Sequence, residues 1–192
     1  MDELTQNRAG LQRPVALRRV WRRIVLLLSL LAVPVFTAGQ PRLRLEYEVK
    51  AAFLLNFAKF VEWPAPGSSS SLPISLCIVG DDPFGSALDQ IIDGETIAQR
   101  ALAVKRIPPM VNADCNMAFV GGTEKDIPKV LAVFPKGVLT VGEGSDFLRH
   151  GGMIAFAIDN RRVRFDINQT AVRNAGLSVS SRLLRVARSV TK

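Results

Sequence analysis

Three short apolar runs in this chain each leave through Val-Gly into groups able to do acid, base or ligand chemistry. Ile74–Val79 exits into Gly80-Asp81-Asp82-Pro83, Met117–Val120 into Gly121-Gly122-Thr123-Glu124, and 138–141 into Gly142-Glu143-Gly144-Ser145. If these runs are strands of one open α/β sheet, their exits line the crevice outside the carboxyl ends, where such sheets bind ligands. Asp81, Asp82, Thr123, Glu124, Glu143 and Ser145 would then make an acidic site for a cation or an amine. The competing reading gives the glycines to tight turns and the Asp and Ser side chains to helix capping. Capping accounts for every one of these residues, so it is the favoured reading.

Nucleophilic catalysis is poorly served. The single histidine, His150, precedes Gly151-Gly152 and reads as a turn residue. No Gly-x-Ser-x-Gly elbow occurs, and neither Cys77 nor Cys115 has an evident base partner. Residues 80–85 lack the Lys-Ser/Thr of a P-loop and the spacing of a dinucleotide fingerprint, and no metal-ligand spacing is present. The expectation is a non-enzymatic protein with no cofactor and no metal.

Two other groups of residues are candidates for holding a partner. The stretch 46–63 has the composition of a helix, with no Gly or Pro inside and Pro64 as its stop. Wound at about 3.6 residues per turn, it puts Glu48, Asn56, Lys59 and Glu62 on one narrow polar stripe. Phe53, Phe57 and Phe60 fall opposite with Val49, and Tyr47, Leu54, Ala58 and Val61 fill the flank. So wide an apolar surface must be packed on two sides or cover another protein. Lys59, Phe60 and Trp63 form the candidate recognition edge, with Phe53 and Phe57 assigned to core. The second group is Arg164 and Asp166 on the outward face of a late strand, followed by Asn168 and Arg173. Its bland alternative is a solvated face with weak ion pairs.

The elements that must position these groups follow from pattern. Apolar strands without polar alternation, separated by helix-compatible stretches at 84–92, 124–134 and 145–149, predict a largely parallel sheet covered on both faces. A further strand spans 101–107 and stops at Pro108-Pro109. Residues 153–158 and 163–167 flank Asp159-Asn160 as a hairpin. Asn168 caps a helix over 169–175 that Gly176 ends. Ser180 or Ser181 caps a last helix bearing Leu183, Leu184, Ala187 and Val190, with Arg182, Arg185 and Arg188 outside. The fold class is α/β: three layers, α/β/α, with a mixed, largely parallel sheet and a C-terminal hairpin plus helices.

Arg18, Arg19, Arg22 and Arg23 precede an apolar run over 24–36 and the small residues Thr37-Ala38-Gly39. Basic, apolar and small regions in that order predict a signal peptide over 1–39, followed by one domain over 40–192. The chain carries +8, of which this leader supplies half, leaving 19 basic and 15 acidic side chains beyond it. That balance is no nucleic-acid footprint. In an exported chain the even cysteine count suggests a bridge, with two buried free thiols as the alternative.

With these residues in view, KAAFLLNFAKFVEWP at 50–64, ISLCIVGDDPFG at 74–85, FLRHGGMIAF at 147–156 and VRFDINQTAVRNAGLSVSSRLLRVA at 163–187 resemble the YfiR-like family of periplasmic regulators. The blocks come in family order and span nearly all of 40–192. The resemblance implies a periplasmic protein that restrains the sensor of an inner-membrane diguanylate cyclase and is released by an outer-membrane lipoprotein. It also implies a structural disulfide between Cys77 and Cys115 and a homodimer. The family's second cysteine pair is missing here, which argues against redox-linked control. The alternative expectation is a small-ligand binding module feeding a histidine kinase or TonB-dependent receptor.

Overall fold

The computed structural model describes residues 40–63, 72–111, 113–122 and 126–192. The expected leader and Thr123 lie outside them. In chain order the elements are α1 (Gln40–Phe60), β1 (Val61–Glu62), β2 (Ile74–Val79), α2 (Ser86–Ile92), β3 (Thr96–Ile97), β4 (Arg100–Ile107), β5 (Met117–Val120) and α3 (Ile127–Ala132). Then come β6 (Leu139–Glu143), α4 (Gly144–Arg149), β7 (Ile154–Asp159), β8 (Arg162–Asn168), α5 (Gln169–Asn174), β9 (Ser178–Val179), α6 (Ser181–Val186) and β10 (Ser189–Thr191).

Eight strands form one sheet in the order β10-β8-β7-β6-β5-β2-β4-β3, and β1 pairs with β9 in a separate two-stranded ribbon. Neighbours from β4 to β7 run parallel, and the β7–β8 hairpin and the β3–β4 pair are antiparallel. The expected mixed, largely parallel α/β class is what the chain adopts. Chain order reverses at β2: one connection leads outward to β4, and the next crosses back to β5.

Strand side chains alternate between two cores. On one face Leu76, Ile78, Phe119, Leu139, Val141, Ile154, Phe156, Phe165 and Ile167 pack with α1, α2, α5 and α6. On the other, Cys77, Val79, Ala118, Val120 and Ala155 pack with Val130 of α3 and Phe147 of α4. The strands read as unbroken apolar runs because both faces are covered.

Two local expectations are corrected. Helix α1 ends at Phe60, three residues short of Trp63, because Val61 and Glu62 pair with Val179 and Ser178 of β9. The β-branched, buried Val61 suits a strand better than a last helical turn. The last helix stops at Val186, and Arg188 and Val190 do not ride on it. Ser189–Thr191 instead pairs parallel with Asp166, Ile167 and Asn168.

Candidate functional site

Strand β6 runs into Glu143, and this carboxylate is met from the far side by α1. Lys50 Nζ donates to Glu143 Oε1 at 2.8 Å and lies 2.6 Å from Glu46 Oε1, one helical turn before it. Lys50 is only 3% exposed, so its charge depends on these two carboxylates; a buried ammonium without them would be costly. The ammonium also sits 4.2 Å from the centroid of the Tyr47 ring, a cation–π contact. Burial and the adjacent Glu143 carboxylate push the Tyr47 phenol well above its ordinary range, so it stays a neutral donor. Phe84, just past β2, meets the Tyr47 ring edge-on at 5.5 Å. Gly122, at the β5 exit, comes so close that an added Cβ would lie 3.2 Å from Glu143 Oε2.

The exits of β2, β5 and β6 therefore converge at the chain reversal, as the sequence pattern implied. What they converge on is α1, whose Lys50 was missed. Asp82 is engaged in the loop: its Oδ1 accepts from the Phe84 and Gly85 amides at 2.8 and 3.1 Å. Its Oδ2 accepts from Arg106 Nε at 2.7 Å. Arg106 also grips both oxygens of Asp89, at 3.1 and 2.6 Å, and so holds the Asp89 carboxyl below its usual range. Asp81 is exposed, as is Ser145 in the first turn of α4. His150 is an exposed residue at the end of α4, its Nδ1 2.9 Å from Asp146 O.

The proposed contact residues fall in different settings. Lys59 pairs with Glu95 at 2.9 Å, and Phe60 is half-buried against the core. Trp63 donates its indole N–H to Asn116 O at 3.0 Å, which ties the chain after β1 to the entry of β5. Arg164 and Arg173 are exposed. Asp166 does not face solvent: it is 6% exposed and forms a two-pronged bond with Arg188 from the β10 edge. That guanidinium holds the Asp166 carboxyl below its usual range. Asn168 Oδ1 accepts from Ala171 N at 3.0 Å, the N-cap that its sequence position predicted. Cys77 and Cys115 form a disulfide with Cα atoms 5.9 Å apart.

A family model described as YfiR/HmsC-like matches residues 47–188. The chain belongs to the YfiR/HmsC-like family. The matched span takes in every group above except Glu46, the far end of α1 and the last strand. No curated protein matches the chain. Among solved structures, a conserved domain protein from Vibrio cholerae aligns with TM-score 0.50 and 10% identity, over 76% of this chain and 60% of that one. An ABC domain in complex with L-Trp from Streptococcus pneumonia aligns with TM-score 0.43 and 10% identity, over 61% and 55%. At such identities the likeness speaks to the fold alone, and the second is too distant to bear on any argument.

Among the described residues no helix is long and apolar enough to cross a membrane. Among the same residues no group of three or more His, Cys, Asp or Glu is placed to hold a metal. Lys50 could have been suspected from Glu46 four residues before it, an ordinary helical ion-pair spacing. Its second partner is 93 positions away, and no local pattern announces that.

Proposed function

We propose that this chain is a periplasmic, non-enzymatic regulator that binds and restrains the sensor domain of an inner-membrane signalling protein, a diguanylate cyclase being the first candidate. Membership of the YfiR/HmsC-like family over residues 47–188 carries the reading. The geometry is compatible with it, because the convergent ionic groups satisfy one another: Lys50 with Glu46 and Glu143, Arg106 with Asp82 and Asp89. The contact surface is assigned to Lys59, Phe60, Trp63, Arg164 and Arg173, with Asp166 and Asn168 shaping it from beneath. A homodimer and an outer-membrane lipoprotein that withdraws the regulator complete the proposal.

The test is capture of the cyclase from detergent-solubilised membranes on the tagged protein, with cellular cyclic-di-GMP measured in parallel. Retention of the cyclase, its loss on Arg164→Glu with Arg173→Glu, and raised cyclic-di-GMP in a deletion strain are the expected results. No retention and an unchanged nucleotide level would end the reading.

A second reading is a small-ligand module serving a histidine kinase or TonB-dependent receptor. The observation favouring it is the gathering of exposed Asp81 and Ser145 with Tyr47 and Glu143 around the chain reversal.

A further inference from the structure

The outer edge of β4 is open, and a groove lies beside it. Strand β3 pairs with β4 only at Thr96↔Ala101 and Ile97↔Arg100, while β2 occupies the inner edge from Leu102 to Ile107. The Leu102 N–H is taken by Glu95 O. Beyond it, among the described residues, no strand meets the outward N–H and C=O groups of β4. Such an edge is a template for one more strand.

The groove opens on the sheet face that carries the cystine and has a volume of about 340 Å³. Its floor is Ser75 and Ala103, which are register partners, and Cys115 and Asn116 line it. The Ala103 side chain is small, and this leaves the space. Two cations lie along the groove. Lys105 donates to the backbone carbonyl of Asp114 at 3.0 Å, and Arg100 donates to those of Leu72 and Pro73 at 2.7 and 3.3 Å. These acceptors are neutral, in contrast to the carboxylates that hold Arg106. The groove lining carries two cations against one acidic residue, Asp114.

Charge chooses the occupant. Pairing β4 with the β4 of a second copy would bring Arg100, Lys105 and Arg106 of both chains along one seam, and cationic edges resist that. An acidic strand is drawn to the same edge. We propose that the β4 edge and its groove form a docking site for an extended acidic segment of a partner protein. That segment adds a strand beyond β4 and lays carboxylates on Arg100 and Lys105. The inference rests on the edge and the groove, and it holds whichever membrane protein the regulator serves.

Panning random hexapeptides displayed on phage against the purified protein tests it. The expected peptides alternate acidic with apolar residues, and they slow hydrogen exchange at β4 amides that exchange fast in the free protein. Their affinity falls about tenfold or more on Arg100→Glu with Lys105→Glu. Ala103→Leu, which only fills the groove, lowers it as well and keeps the test decisive if the charge-reversed protein fails to fold. The proposal is overturned if no acidic sequence is enriched, or if the peptides protect amides elsewhere. It is also overturned if both variants bind as the parent does, or if β4 is protected by self-association that rises with protein concentration.

Discussion

The two faces of the sheet are built by different means. On the α1 face the strands present large side chains, and rings interlock: Phe57 lies 4.9 Å from Phe165 and 5.6 Å from Phe156, and Phe84 meets Phe119 at 4.8 Å. On the other face the same strands present Cys77, Val79, Ala118, Val120 and Ala155. There Phe147 is wedged between two glycines; a Cβ on Gly142 or Gly152 would fall 2.4 or 2.2 Å from its ring. The first face gains stability from apolar area removed from water. The second gains less area, relies on close backbone approach, and is stapled by Cys77–Cys115. A single sheet can therefore carry one deep aromatic core and one thin core that needs a covalent tie.

Breaking the aromatic face should have the largest effect. Phe57 has no exposed surface, and Phe57→Ala should cost about 4 kcal/mol, from lost transfer energy and the cavity left behind. Urea unfolding measures it as a fall in midpoint. A loss under about 1 kcal/mol would mean that α1 is not what fills this core. Breaking the thin face comes next. Cys77→Ala with Cys115→Ala removes a bridge spanning 38 positions, and should cost about 3 kcal/mol in the chain-entropy picture. Dithiothreitol should destabilise the parent and leave the double variant unchanged. If reduction leaves the parent's midpoint unmoved, the thin face holds without its tie and the contrast collapses.

The same contrast explains what the sequence disclosed. The strands Ile74–Val79 and Met117–Val120 were legible to the residue, because apolar runs between Gly and Pro punctuation have few alternatives. The runs do alternate, but in volume rather than polarity: Leu76 against Cys77, Phe119 against Ala118, Phe156 against Ala155. A reading that sorts only polar from apolar does not separate the faces. The N-cap at Asn168 was legible because capping is local. The short strands β1, β3, β9 and β10 were not, since two or three residues become a strand only where a distant register receives them. Val61 meets Val179, and Ser189 meets Asp166, across long stretches of chain. The candidate site divides likewise. The Val-Gly exits pointed to the right end of the sheet, while Lys50 answers to Glu143, which local pattern cannot reach.

Asp166 gives the smallest and most discriminating test, because period-two alternation placed it on the outward face and the fold buries it. Its carboxyl is held below the usual range chiefly by the Arg188 hydrogen bonds. A carboxyl whose folded value is depressed contributes fully above the unfolded value, and the contribution fades as pH falls through the folded one. Arg188→Ala should therefore cost about 2 kcal/mol near pH 7, the scale of a charge-assisted bond whose loss strands a buried carboxylate. Arg188 itself remains 39% exposed, so solvent screening keeps the figure from rising further. Below about pH 4 the gap between variant and parent should narrow, because protonating Asp166 removes the parent's advantage and relieves the variant's stranded charge. Urea midpoints for both proteins from pH 3 to pH 7 measure that narrowing. A gap constant over the range would assign the cost to lost packing of the Arg188 side chain, and would return Asp166 to the solvated face where alternation had put it.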